Sequence, residues 1–332
     1  MGSFLSGLFA AVILIGVAAA AVLGWGWSEF NAAGPTTEER TVVVPRGSNI
    51  IETAMLLQNK GVLRHPWVFS AVALSRGDER RIKAGEYRFA AGATGADILS
   101  MLVLGQVVHH RLTVPEGLTV RQIARLVADA EFLAGDVPVG VPEGSLLPET
   151  YFFQRGDTRA QAFDRMRRAA ALVLEEAWAR REQGLPLKTP AEALVLASIV
   201  ERETAVAAER PQVAGVFYNR LARGMKLQSD PTVIYGVSNG LGVLDRDLTR
   251  ADLDGDSRWN TYRIPALPPT PIANVGRASL EAVLHPAKTK ALYFVADGDG
   301  GHAFAETLDQ HNRNVARWRQ KQSQPAQPQA AQ

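Results

Sequence analysis

The chain opens with a stretch that shows neither helical nor strand periodicity, because it is apolar throughout. From Phe4 to Trp27 no side chain is charged, and the run is long enough to cross a ~30 Å hydrocarbon layer as a helix. Trp25 and Trp27 close it where an interfacial aromatic belt would sit, and Glu29, Glu38 and Glu39 precede the first basic residue, Arg40. Residues 1–28 read as a transmembrane anchor. A cleaved signal peptide is the competing reading. It would carry basic residues ahead of the apolar stretch and a small-x-small site behind it, whereas here only Met-Gly-Ser comes first. Neither flank has the Lys/Arg cluster from which orientation could be read.

Residues 29–40 are polar, with Gly34 and Pro35, and read as a spacer. Ordered patterning begins at Thr41, where a β-branched strand (TVVV) turns at Pro45 and Gly47 into a helix with Ile50, Ile51, Ala54 and Leu57 on one face. At Arg111 the pattern returns as RLTV, a Pro115-x-Gly117 turn, and a helix with Val120, Ile123, Ala124 and Val127, which is an internal strand-turn-helix repeat. Between the copies lie an apolar helix around Trp67–Leu74, a strand at Ala84–Phe89 and a helix at Ala96–Leu104. Residues 41–140 therefore read as a small α/β region. From 141 to 320 the character changes to LLPETYFF, a long Arg- and Ala-rich helix to about Glu182, further helices, and a hairpin with strands at Ala291–Ala296 and His302–Ala305 around a Gly-rich turn. Residues 321–332 are low in complexity and read as a disordered tail. The fold class expected is α+β.

One helix stands out. Thr189-Pro190-Ala191-Glu192 is a capping box with proline at the first helical position, and Ala193–Val200 leave no polar stripe, so the helix is expected to be buried on most sides. Glu201 continues the apolar stripe of Leu194, Ala197 and Ser198 at a helix C-terminus, and both burial and the helix dipole disfavour its charged form. A carboxyl kept protonated near neutral pH is what a general acid needs. The bland reading makes Glu201 the first solvated residue after a buried helix. Glu203 points to another side and is expected to be solvated.

Composition narrows the chemistry. Lys plus Arg number 36 against 34 acidic residues, a net +2, so no single-sign field points to nucleic acid. Cysteine is absent, which excludes disulfides, thiolate metal sites and a cysteine nucleophile. His285, His302 and His311 show no metal-ligand spacing, so neither metal nor cofactor is expected. Asp230-Pro231 reads as an N-cap followed by proline, with Gln228 and Ser229 as loop polar residues before it. Asn219 lies off the apolar face of a helix begun at Pro211, while Tyr151, Tyr235 and Tyr262 can either stack on sugar rings or fill a core.

The run ASIVERET (197–204) resembles the signature of the MltG/YceG-like endolytic murein transglycosylases, and further blocks follow in that family's order. They are VAGVFYNRL, MKLQSDPTVIYG, NTYRI, LPPTPIANVG, LHPAKT, LYFVADGDGGHAF and His311-Asn312. Together they cover nearly all of residues 141–320, and the upstream repeat resembles the family's LysM-like, peptidoglycan-binding region. The resemblance implies one catalytic carboxylate, Glu201, which protonates the oxygen between N-acetylmuramic acid and N-acetylglucosamine and then takes the muramyl C6 hydroxyl proton. The product would be a 1,6-anhydromuramyl end. Asn219, Gln228, Ser229, Asp230, Thr232, Tyr151, Tyr235, Tyr262, Asn274 and His302 are the candidate substrate contacts. The resemblance also implies a catalytic body outside the cytoplasmic (inner) membrane, a role in terminating nascent strands, and peptidoglycan synthases (penicillin-binding proteins) as candidate partners. Two other readings stay open: a hydrolytic muramidase using Asp230 as second carboxylate, and a non-enzymatic wall-binding scaffold.

Overall fold

The computed structural model describes residues 2–323, a mixed helix-and-strand chain in two compact units. The first is Met1–His110 with Phe152–Gly156; the second is Arg111–Tyr151 with the chain from Asp157 onward. The division thus falls after His110 rather than near residue 140.

In the first unit α1 (Gly2–Asn31) is the one described helix long and apolar enough to cross a membrane. It continues past the expected anchor boundary. Phe30 is buried, with its ring 6.3 Å from that of Phe69, and Glu29 pairs with Arg64 at 3.1 Å. The segment 29–40 is therefore not a free spacer: the Gly34 amide donates to the Gly92 carbonyl, the Gly92 amide donates to the carbonyl of Thr36, and Thr36 is buried. Its polar composition concealed the single aromatic that anchors it.

β1 (Arg40–Val44) leads through a Gly47 turn at φ 85° into α2 (Ile50–Asn59), which Asn49 caps with a full capping box. Ile50, Ala54 and Leu57 are buried as expected, but Ile51 is exposed. α3 (Pro66–Ser75) follows, then β2 (Gly85–Phe89), antiparallel to β1 with Val42 opposite Tyr87, and α4 (Gly95–Leu104). A Cβ at Gly95 would meet the Phe30 ring at 2.9 Å, so the small residue lets α4 close on α1.

β3 (His110–Thr113), a turn with Gly117 at φ 75°, and α5 (Val120–Ala128) capped by Thr119 form the second strand-turn-helix segment. β3 pairs with β4 (Thr150–Phe153), whereas β1 pairs with β2. The two similar segments thus have different partners.

The second unit is organised around α7 (Pro190–Glu203), preceded by α6 (Arg159–Ala179). Thr189 accepts from the Glu192 amide as the cap predicted, although the Glu192 carboxylate accepts from the Lys188 amide and not from that of Thr189. Val195 to Val200 are all buried, against α6, α8 (Arg210–Ala222) and α11 (Arg277–Leu284), with Phe217 and Val283 in the same core. Between these helices lie α9 (Asp230–Val237) and α10 (Arg250–Asp254). The expected hairpin is present as β5 (Tyr293–Ala296) and β6 (His302–Ala305). α12 (Leu308–Ser323) then takes in residues 321–323 of the expected tail, and the remainder of that tail lies outside the described residues.

Removing the Phe30 ring should open the first unit where α1 enters it. Phe30→Ala is expected to cost about 3–5 kcal/mol, read as faster amide hydrogen exchange in α3 and α4 of the detergent-solubilised chain, with α7 unaffected.

Candidate active site

The last turn of α7 delivers two carboxyls to different sides, since helix positions two apart differ by roughly 200°. Both belong to the second unit. Glu201 is locked. Its Oε1 accepts from the Arg210 guanidinium at 3.1 Å, its Oε2 accepts from the Gly276 amide at 3.0 Å, and its side chain is only 3% exposed. Arg210 also reaches Glu116 at 3.3 Å, so one guanidinium bridges two carboxylates. A Cβ on Gly276 would fall 1.7 Å from Glu116 Oε1, which explains the glycine. Burial raises the Glu201 pKa, while the Gly276 amide and the Arg210 charge pull the other way.

Glu203 was expected to be solvated and is half-buried. Its Oε1 accepts a short hydrogen bond from the Ser229 hydroxyl, and Oε2 has no protein partner among the described residues without being sealed from solvent. Burial pushes this carboxyl up to about 7; the Ser229 hydrogen bond, His302 and Arg220 pull it down, and the charge of Asp230 adds to the rise. The i, i+2 spacing correctly turns Glu203 away from Glu201, but on the far side the 226–230 loop and His302 of the hairpin leave it only partly exposed.

Four expected contacts converge on Glu203. Ser229 is buried and held by the Thr261 hydroxyl, which accepts from its amide at 2.9 Å. Asp230 is exposed and accepts from the Tyr262 hydroxyl at 2.6 Å; it is the first residue of α9, and Ser229 occupies the N-cap position that Asp230 was expected to fill. The pKa of Tyr262 is raised, first by burial and then by Asp230. His302 is fixed by Glu209, whose carboxylate accepts from the His302 amide at 2.8 Å and contacts Nδ1 at 2.6 Å. The Thr204 hydroxyl, one residue past α7, donates to that same carboxylate. Gln228 is exposed beside this group at φ 51°, a left-handed conformation uncommon for a side-chain-bearing residue and worth attention near a binding loop.

The remaining candidates hold the frame. Asn274 is fully buried: its amide group donates to the Leu118 carbonyl and the Glu143 carboxylate, each at 3.0 Å, and its Oδ1 accepts from the Leu146 amide at 2.9 Å. Tyr235 donates to Glu143 at 3.2 Å, and Tyr151 to the Leu147 carbonyl at 2.8 Å, burial lifting the Tyr151 pKa to about 12. Thr232 is enclosed with Ser229 and Thr261. Both amide hydrogens of Asn219 are used on the carbonyls of Thr289 and Ala291. These five all make hydrogen bonds within the second unit, and Thr232 and Asn274 are fully buried.

Arg220 was not anticipated. It is buried and donates to the carbonyls of Leu292, Lys226 and Leu227, clamping the 226–230 loop to the strand lead-in. Its place in VAGVFYNRL gave no hint, because an arginine on a helix flank usually faces solvent. A cavity of about 510 Å3 lined by Leu146, Leu174, Leu194 and Leu280 reaches Gly276 but neither glutamate, and its apolar walls do not suit a polar glycan. Among the described residues no group of three or more His, Asp or Glu is placed to hold a metal ion.

The chain matches the YceG-like family over residues 42–317. It is 32% identical over 301 residues to an endolytic murein transglycosylase of Bacillus subtilis, covering 81% of this chain and 82% of that protein. An endolytic murein transglycosylase of Streptococcus pneumoniae is 30% identical over 321 residues, and there the match takes in 58% of the relative's length. A crystal structure of a YceG-like protein from Listeria monocytogenes superposes with a TM-score of 0.52 at 31% identity, covering 84% of this chain and 99% of that one.

Asn274 ties together three segments around α7, so Asn274→Ala should lower stability by about 2–4 kcal/mol through lost and orphaned hydrogen bonds. The check is a denaturant melt, where the structural assignment predicts a lower midpoint and a direct substrate contact predicts none.

Proposed function

Because the chain belongs to the YceG-like family, we propose that it is a membrane-anchored endolytic murein transglycosylase in which Glu203, rather than Glu201, moves the protons. The observation that carries this choice is the difference in how the two carboxyls are engaged. Both oxygens of Glu201 are committed, one to a buried arginine, so donating a proton from it would mean dismantling an ion pair whose loss leaves the buried Arg210 only the more exposed Glu116 as a partner. Glu203 keeps one oxygen open, sits in the group of polar side chains best suited to a sugar, and is pushed up to about 7 by burial.

In this reading the protonated Glu203 gives its proton to the glycosidic oxygen between N-acetylmuramic acid and N-acetylglucosamine as the C1–O bond breaks. The muramyl C6 hydroxyl then adds to C1 and returns its proton to the Glu203 carboxylate, closing a 1,6-anhydro ring. No water is consumed, so a single carboxyl suffices where hydrolases use two. Gln228, Asp230 and Tyr262 would hold hydroxyl or acetamido groups, and the Glu209-held His302 would steady the charge that Glu203 acquires after donation.

α1 would anchor the chain in the cytoplasmic membrane by a single pass, with the body on the outer side where peptidoglycan lies. Residues 41–110, the part of the LysM-like region that falls in the first unit, would bind glycan. Release of nascent strands beside peptidoglycan synthases follows as the cellular role. The hydrolytic alternative draws on Asp230, an exposed carboxylate next to Glu203.

Full-length protein in detergent, incubated with purified peptidoglycan and assayed by mass spectrometry of released glycans, separates these readings. Wild type is expected to yield anhydromuramyl ends, and Glu203→Gln to lose about 10²–10⁴-fold in rate while folding normally. Glu201→Gln should retain more activity than Glu203→Gln and show a lower melting midpoint. An inactive, fully stable Glu201→Gln beside an active Glu203→Gln would return the role to Glu201. Reducing muramyl ends would mean hydrolysis, and glycan binding without cleavage by the wild type would mean a scaffold.

A further inference from the structure

α3 carries no charged residue: its sequence is PWVFSAVALS. A helix that is apolar all round normally lies in a protein core or in lipid. One side is accounted for by Val68, Phe69, Ser70 and Ala73, which are buried in the first unit. The other side is bare. Trp67 and Leu74 are 56% and 51% exposed, and Ala71 is exposed between them. Their i, i+4, i+7 spacing places all three on one stripe.

That stripe begins at the end of α1. The Trp67 ring stacks on Trp25, with centroids 5.4 Å apart and planes at 23°, and the Arg76 guanidinium, just past the other end of α3, lies 5.5 Å from the Trp27 ring and 5.3 Å from that of Phe30. From residue 67 to 76 is about 13 Å of helix, whereas the α1 residues they touch lie within about 8 Å along its axis. α3 therefore crosses α1 at the level of Trp25 to Phe30 instead of running alongside it. The junction has no flexible spacer, because Phe30 is buried between α3 and α4 and Glu29 is paired with Arg64.

We propose that the Trp67–Ala71–Leu74 face of α3 lies in the headgroup–acyl boundary of the bilayer that α1 crosses, the partner of this surface being the lipid itself. The inference rests on the reading of α1 as a membrane span, and continuity with that span is what selects lipid over a protein partner. An amphipathic aromatic at the boundary and cations beside it are the expected chemistry of such a surface. Arg64 and Arg76 flank the stripe and Arg80, 92% exposed, lies beyond it within reach of lipid phosphates. The first unit is then held against the membrane surface by two helices, one crossing the bilayer and one lying on it.

The chain has no cysteine, so single spin-labelled cysteines report without background. Leu14→Cys, Ala71→Cys and Leu74→Cys, all of which keep Trp25 and Trp67, would be labelled in the full-length protein in phosphatidylcholine–phosphatidylglycerol nanodiscs. Collision rates with oxygen and with a water-soluble nickel chelate would then be compared with those of free label in buffer. The expected result is a several-fold shift of the oxygen-to-nickel ratio at positions 71 and 74 toward the value at position 14. A lipid-phase label at 14 with water-phase labels at 71 and 74 would overturn the surface proposal alone. A water-phase label at 14 would overturn the anchor reading, and this proposal with it.

Discussion

Packing on all sides of α7 from Val195 to Val200 fixes where the helix ends, and everything chemical in the second unit hangs from that end. A helix without a solvent face cannot rotate or slide without exposing apolar surface at about 25 cal/mol per Å2. Its final turn is consequently held as firmly as its middle. Ser198 adds a polar tie, donating to the Val195 carbonyl and accepting from the Ile272 amide, which draws the 272–276 segment and its Gly276 amide up to Glu201. The carboxyls at 201 and 203 thus have little conformational freedom to lose when a substrate arrives.

The two glutamates show how environment divides labour between like groups. Glu201 faces a guanidinium and an amide and closes a network with Glu116, which ties the α7 end to the turns around 117 and 276. Glu203 faces a hydroxyl, a tyrosine–aspartate pair and a histidine held by Glu209, groups that can be shared with a ligand. Arg220 keeps the loop carrying Gln228 and Ser229 in place from behind, and its charge is spent on carbonyls. A stationary cation at that distance moderates the pKa of Glu203 without pairing with it.

Much of this architecture is legible from sequence because it follows from local rules. The cap at Thr189, the β5–β6 hairpin and the burial of α7 each depend on residues a few positions apart. What sequence patterning misread depends on distant partners. Glu203 looked solvated because the loop that covers it lies 26 residues on. The bonds of Asn274 and Asn219 to carbonyls far along the chain could not be read either, because a polar residue in a motif carries no mark of the partners it will meet. The spacer after the anchor proved to be packed because buried Phe30, the Glu29–Arg64 pair and backbone hydrogen bonds to Gly92 hold it. The ASIVERET motif carries both carboxyls of the α7 end, and only tertiary contacts tell their surroundings apart.

If Glu203 is the acid, it holds a proton near neutral pH, and its titration can be observed directly. Full-length protein labelled with 13C at glutamate Cδ, compared with the Glu203→Gln variant to assign the resonance, would be followed by NMR in detergent from acid to alkaline pH. The account predicts that the Glu203 signal moves from the carboxylic acid to the carboxylate position with a midpoint near about 7, so that the acid form persists at neutral pH and is lost above it. A midpoint at the ordinary glutamate value near 4.5 would contradict it, because Glu203 would then be ionised at neutral pH and unable to serve as the acid.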